Sequence, residues 1–220
     1  KKMGNKERKK REKIKRRDDI INAAERIFFN KNFENATMEE IAIESELSIG
    51  TLYKYFNNKI DLYLAITKRG IEILEKLFHQ AIKNKNTGID KVLAIGEAYV
   101  QFYNKYPNYF KTLMFYETKN LNLMEKESWA AKCNLSGDET LKILVNAIQE
   151  GMDDGTILDT TNPVYAAIAF WGFSTGLLQL INNKGVLLKD KFQDDNIDPE
   201  EVLKYSFQLL YESIRTKKPE

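Results

Sequence analysis

"SIGTLYKYFNNK", residues 48–59, crowds Tyr53, Tyr55 and Phe56 between Lys54 and Lys59. Wound as a helix at about 100° per residue, it brings Leu52, Phe56 and Ile49 within about 60° of one another. Tyr53, Gly50, Lys54, Thr51 and Tyr55 then spread over the rest of the circle, from about 100° to about 300°. The narrow apolar stripe is a packing face. The broad face of phenols, hydroxyl, cation and bare glycine requires a partner.

The flanking residues frame that helix. Ile20, Ala24 and Ile27, with Ile21 and Phe28, recur at helical spacing across residues 14–30. "NKNFENA" breaks the pattern, and "TMEE" at 37–40 is a capping box, with Thr37 and Glu40 exchanging hydrogen bonds. The helix it opens is short, because "ESELS" follows Ile41 and Ala42, and Ser48 caps the next one. Two short helices joined by a turn of about three residues make a helix-turn-helix.

Downstream, Ile60, Leu64, Ile71, Leu74, Phe78 and Ile82 predict one long helix from Lys59, about 25 residues or roughly 40 Å. "KNKNTG" ends it. Further helices are predicted over Ile89 to Tyr106, 108–117, 121–151, 163–183 and 199–215. Asn162-Pro163 and Asp198-Pro199 each place a cap before a first-turn proline, and Glu201 completes a second capping pattern with Asp198. Nothing reads as a strand, so the fold expected is all-α.

The net charge of +2 conceals an asymmetry. Residues 1–17 hold eleven Lys/Arg against Glu7 and Glu12, a net of +9, which leaves −7 for the other 203 residues. A basic arm on a mildly acidic body suits a polyanion at the N-terminal end. No apolar core follows the basic run, so it does not read as a secretory signal. Cys133 is the one cysteine and His79 the one histidine, which excludes an internal disulfide, puts zinc sites built from these ligands out of reach and fits a reducing compartment. Thr160 to Asn183 is uncharged, and "VYAAIAFWGFSTGLLQLI" approaches the ~20 apolar residues of a membrane span. Its Ser174, Thr175 and Gln179 and the flanking asparagines favour a helix buried in protein instead.

The stretch "AAERIFFNKNFENATMEEIAIESELSIGTLYKYFNNKIDLY", residues 23–63, resembles the TetR family of bacterial and archaeal transcription regulators. Thr37, Ile41-Ala42, Ser48, Gly50-Thr51-Leu52-Tyr53, Phe56, Lys59 and Leu62 fall at the family's spacing. The resemblance implies a three-helix head at 18–62, preceded by the arm at 1–17 and joined by the long fourth helix to a body at 63–220 that dimerises and holds a small-molecule effector. It implies that Thr37, Ser48, Ile49, Gly50, Thr51, Tyr53, Lys54, Tyr55 and Lys59 meet double-stranded DNA. In that role Gly50 admits the backbone, the hydroxyls and Lys59 donate to phosphates, and Lys54 reaches phosphate or guanine. Asn32 and Glu46 stand where the family favours glycine, at turns that call for positive φ.

For the body, the resemblance makes residues 163–183 and the last helix the dimer interface. Gly172 and Gly176 allow close approach, and Leu203, Phe207, Leu210 and Ile214 supply an apolar stripe. Tyr99, Phe102, Tyr103, Met114, Phe115, Trp129, Cys133 and Trp171 are the candidate lining of a pocket for an apolar or aromatic ligand. The implied protein is a cytoplasmic homodimeric repressor of a pseudo-palindromic operator, with no cofactor, metal or membrane; an activator, or a regulator answering to a protein partner, is the alternative. "GFSTG", residues 172–176, matches G-x-S-x-G, but a hydrolase needs a strand before the serine and a histidine after it. The residues ahead of Ser174 read as helix, and His79 precedes it. Asp153-Asp154 and Asp194-Asp195 read as solvated turns.

Overall fold

The computed structural model describes residues 5–118, 127–192 and 199–216. Among them every regular element is an α-helix: α1 (Asn5–Asn35), α2 (Met38–Glu44), α3 (Ile49–Leu52), α4 (Lys59–Ile82), α5 (Gly88–Lys105), α6 (Pro107–Thr118), α7 (Trp129–Asp153), α8 (Pro163–Phe192) and α9 (Pro199–Ile214). The all-α expectation holds. The Asp198 cap, Asp194-Asp195 and residues 121–126 of an expected helix lie outside the described residues.

Two compact units partition the chain. The first contains residues 1–72 and 107–136, the second residues 73–106 and 137–220. This differs from a division at 62/63, and burial gives the reason. Tyr63, Ala65 and Ile66 of α4 belong to the same buried cluster as Ile20, Phe28, Ile41, Leu52 and Phe56, and Tyr109, Phe115 and Trp129 pack against it. The head therefore includes α6, the start of α7 and the first half of α4.

In the first unit, α1 runs as helix from Asn5, so the described part of the basic arm continues the rod of α1. Asn32 breaks α1 with φ 64 and ψ 170. The end of α2 is a Schellman motif: Leu47 N–H donates to Ala42 O at 2.9 Å and Glu46 N–H to Ile43 O at 3.0 Å. Glu46 takes its left-handed position, φ 55. Both family departures thus occupy positive φ, as the turns demand. Glu46 is exposed, so Glu46→Gly should remove backbone strain without removing packing and raise stability by about 1 kcal/mol. A thermal melt checks this; an unchanged or lower melting temperature would mean that the carboxylate contributes more than the strain costs.

In the second unit α5 and α8 both pack on α9. Phe102, Ile148, Ile157, Ala167 and Leu178 are fully or almost fully buried there. Asp154 is more than a solvated turn: it accepts from the Gly88 amide at 2.7 Å and the Thr156 amide at 3.0 Å. Burial alone would raise its carboxyl, but these bonds, the Thr156 hydroxyl and nearby Lys91 hold it below the usual range. An isolated antiparallel bridge, Ile157 to Arg215, ties the α7–α8 connection to the end of α9.

Candidate nucleic-acid interface

Local chemistry sets the helix-turn-helix. Thr37 Oγ1 accepts from Glu40 N–H at 3.2 Å, and Glu40 Oε2 accepts from Thr37 N–H at 3.1 Å, completing the capping box. Lys31 also binds Glu40 at 2.6 Å and, with the Thr37 amide, draws its carboxyl below the usual range. Ser48 Oγ accepts from Thr51 N–H at 3.3 Å and shares a 2.8 Å hydrogen bond with Thr51 Oγ1. The two hydroxyls hold each other in place on an exposed edge.

The helix α3 is shorter than its sequence suggests. After Leu52 the bonds tighten, with Lys54 N–H to Thr51 O at 3.1 Å and Tyr55 N–H to Leu52 O at 2.9 Å. Leu52 and Phe56 are buried, as the helical wheel requires, whereas Ile49 is 37% exposed and leaves the apolar stripe. Tyr53 is 47% exposed, and Lys54 is exposed beside it. Tyr55 is half-buried and packs against the head cluster, so the two tyrosines have different surroundings. Gly50 is exposed, and a Cβ built on it meets nothing within 4 Å. No atom of the described residues requires a glycine there, although glycine weakens a helix by about 1 kcal/mol relative to alanine. A partner that comes close to the backbone does require one.

Lys59 does not present its charge outward. Its Nζ donates to Phe33 O at 2.7 Å, Ala36 O at 2.9 Å and Glu34 O at 3.3 Å, and lies 4.5 Å from the Phe33 ring centre. Three donors meet three carbonyls of the α1–α2 corner, so in this structure Lys59 acts as a structural tie. Lys59→Met is expected to destabilise the head by about 2 kcal/mol, the range of hydrogen bonds to a charged group, and to leave the salt dependence of DNA binding unchanged. Melting and salt titration of one variant check both; an unchanged melt with a salt slope shallower by about one would restore the phosphate role.

Aromatic residues far away in sequence support the turn from Ser48 to Phe56. Trp129 stacks on Phe56 with centroids 5.7 Å apart, and Arg17 and Lys132 approach the indole at 6.0 and 5.0 Å. Phe115 lies 4.6 Å from Phe33 and 4.8 Å from Tyr63. Tyr109 OH donates to Glu25 Oε1 at 2.5 Å, and Arg69 binds Glu25 Oε2 at 3.0 Å. Burial lifts the Tyr63 phenol to about 12, so it stays neutral inside this cluster. No sequence pattern marks Tyr109, Phe115 or Trp129 as part of the head.

The eight candidate pocket residues divide between the units. Met114, Phe115, Trp129 and Cys133 lie in the first, while Tyr99, Phe102, Tyr103 and Trp171 lie in the second. Phe115 and Trp129 belong to the head core instead. Cys133 is fully buried, its Sγ donates to Leu64 O at 3.2 Å, and burial pushes its thiol up to about 12. It is a core thiol of low reactivity. In the second unit Phe102 is fully buried, and Tyr99 OH forms a 2.9 Å hydrogen bond with Thr175 Oγ1 in a buried setting.

The residues expected at a dimer interface differ in exposure. Leu203 and Ile214 are buried within their own protomer, and the Phe207 ring lies over Gly96. Leu210 is half-buried. The periodic stripe of α9 marks a buried face, and its own unit covers much of it. What stays open is α8: Tyr165, Ile168, Gly172, Gly176 and Leu180 are exposed along one side, with Tyr205 and Leu209 exposed on α9. Added Cβ atoms at Gly172 and Gly176 meet nothing within 4 Å. Pro163–Ile181 is also long and apolar enough to cross a bilayer, at mean hydropathy 1.5. Ser174 is buried within this helix, which excludes the strand-to-helix elbow of a hydrolase. Among the described residues no group of His, Cys, Asp and Glu is placed to hold a metal ion.

Residues 20–66 match the family described as bacterial regulatory proteins, tetR family. The HTH-type transcriptional activator FasR of Mycolicibacterium smegmatis is 29% identical over 99 residues, 45% of each chain. The chain spans less than half the length of the curated relatives it matches. In fold it is similar to FadR of Bacillus subtilis, solved in complex with stearoyl-CoA (TM-score 0.68, 19% identity, 90% of this chain and 98% of that one). It is also similar to AibR, solved with isovaleryl coenzyme A and operator DNA (TM-score 0.62, 16% identity, 89% and 98% covered).

Proposed function

The chain belongs to the TetR family of regulatory proteins, and from that premise we propose that it is a homodimeric, cytoplasmic repressor that a largely apolar ligand releases from a pseudo-palindromic operator. The observation that carries the reading is the exposed edge from Ser48 to Lys54, where two paired hydroxyls, a phenol and a cation surround a glycine the fold does not need. Thr37, Ser48, Thr51 and Tyr53 donate to phosphates, Ile49 meets a thymine methyl, Lys54 reaches guanine or phosphate, and Tyr55 braces the turn from below.

A second copy covers the open side of α8. Two glycines four residues apart let the paired helices approach closely, and the neighbouring Tyr165, Ile168 and Leu180 gain burial. Tyr205 and Leu209 of α9 complete the surface. The effector binds in the second unit, where the Tyr99–Thr175 hydroxyl pair is a polar point among apolar side chains. Acyl-CoA thioesters are the class to test first, since FadR and AibR were solved with such molecules. The ligand acts only if it binds the DNA-incompetent arrangement more tightly than the competent one. One observation favours activation as the second reading, the description of FasR as an activator.

Fluorescence anisotropy tests the proposal, with the DNA upstream of the chain's own gene against random duplex of equal length, followed by stearoyl-CoA and isovaleryl-CoA. Preference for the upstream fragment supports a specific regulator, and release by either thioester supports the effector class. Equal binding to both duplexes, unmoved by either compound, contradicts the reading.

A further inference from the structure

We propose that the N-terminal part of α1 is a second DNA-contacting element, a rigid basic helix that lies against the phosphate backbone beside the reading turn and whose helical form the DNA stabilises. This rests on the DNA-binding reading of the head and extends its surface.

Residues 5–17 are helix and continue α1 without a break. They carry nine Lys/Arg against Glu7 and Glu12. Such a segment is a poor helix on its own. Like charges crowd one another, and cations sit at the helix N-terminus, where the macrodipole favours anions. The Arg8–Glu12 pair, at 3.6 Å, is too exposed to offset this. Residues 6–16 are all exposed, so packing does not hold the helix in place either. A dense row of anions outside the chain is the missing stabilisation.

Geometry selects the kind of anion. Lys9, Lys13 and Arg16 recur at i, i+4 and i+7 and share one face. With Lys15 and Tyr55 they border a single open groove, so the basic face lies next to the reading turn. Glu12 and Asp19 also border it, which leaves the groove net positive rather than uniformly so. Arg17 does not border this groove and lies 6.0 Å from the Trp129 ring centre. Thirteen residues span about 20 Å, more than half a turn of duplex. A lipid surface is a poorer match, because interfacial helices need a broad apolar face, and Ile14 is the single large apolar residue of the segment, half exposed.

Two variants test the inference in the full-length protein. Lys9→Gln/Lys13→Gln/Arg16→Gln removes three cations from the face, and Ile14→Pro keeps every charge but breaks the rod. Affinity is measured against salt on the upstream fragment and on random duplex, and circular dichroism at 222 nm follows helicity as duplex is added. The triple variant should show a log–log salt slope shallower by about 2.7, since each lost phosphate contact removes about 0.9. Its preference for the upstream fragment should be unchanged. Ile14→Pro should bind both duplexes about tenfold more weakly, because a proline there disrupts the helix. Wild type should gain helicity on DNA, and Ile14→Pro should gain less. Wild-type slopes in the triple variant would overturn the contact, and wild-type affinity in Ile14→Pro would overturn the rigid helix in favour of a flexible tail. Absence of any upstream preference in wild type would instead count against the regulator reading, while the slopes on random duplex would still decide the arm.

Discussion

Gly88→Ala is expected to unfold the second unit at or near ordinary temperature. Gly88 opens α5, where Thr87 caps the helix and the Gly88 amide donates to Asp154. A Cβ on Gly88 would lie 1.9 Å from Gly151 N, 2.2 Å from Gly151 Cα and 2.6 Å from Ala147 O. All three are backbone atoms, so no rotamer change relieves the clash. Gly151 in turn packs closely on the Ile157 side chain, whose Cδ1 would lie 2.5 Å from a Cβ built there. The start of α5 must move off the end of α7, breaking its bonds to Asp154 and Thr156 and loosening Ile148 and Ile157 beneath. About 3–5 kcal/mol of destabilisation follows, at the severe end for one substitution. That approaches the whole stability of many domains. Gly137→Ala is the control: its surroundings inside α7 are open, and it should gain up to about 1 kcal/mol from helix propensity. Calorimetry of both variants decides. A Gly88→Ala melt within a degree or two of wild type would show that α5 and α7 do not cross at these glycines.

The second large effect is on binding and leaves the fold intact. Gly50→Leu should weaken operator binding about a hundredfold, or ~3 kcal/mol, by holding the turn off the edges of the bases and the backbone of the duplex. The melt should stay the same or rise slightly, because the position is open and leucine is the better helix former. Gly50→Ala should fall between the two. This separation sets Gly50 apart from Lys59 and Trp129, whose loss would also weaken binding but by loosening the head. Full affinity in Gly50→Leu would remove the close approach from the account.

Features set by neighbours along the chain are legible in the amino-acid sequence. The Thr37–Glu40 box, the Ser48 cap, the buried Leu52 and Phe56, and the positive φ of Asn32 and Glu46 all follow from residues within a few positions of one another. The limits appear where a pattern identifies a face but not its partner. The stripe of Leu203, Phe207 and Ile214 announces burial, and nothing in its spacing distinguishes α5 of the same chain from a second copy. Trp129 and Phe115 look like pocket residues because aromatic side chains suit either role, and only the fold brings them against Phe56 and Phe33. The tie made by Lys59 is hidden for a similar reason. A lysine at a helix start is a natural phosphate ligand, but the three carbonyls it binds come from residues about 25 positions earlier. The tightening of the chain after Leu52 is equally hidden, because the sequence shows no proline or glycine there to end the helix.

Methylation protection of guanine N7 on the upstream fragment tests most directly the claim that the Ser48–Tyr55 edge reads DNA in the major groove. Protected guanines are expected in two clusters related by two-fold symmetry, centred about one helical turn or a whole multiple of it apart, and lost in Gly50→Leu. Binding that leaves every guanine N7 as reactive as in free DNA would contradict it.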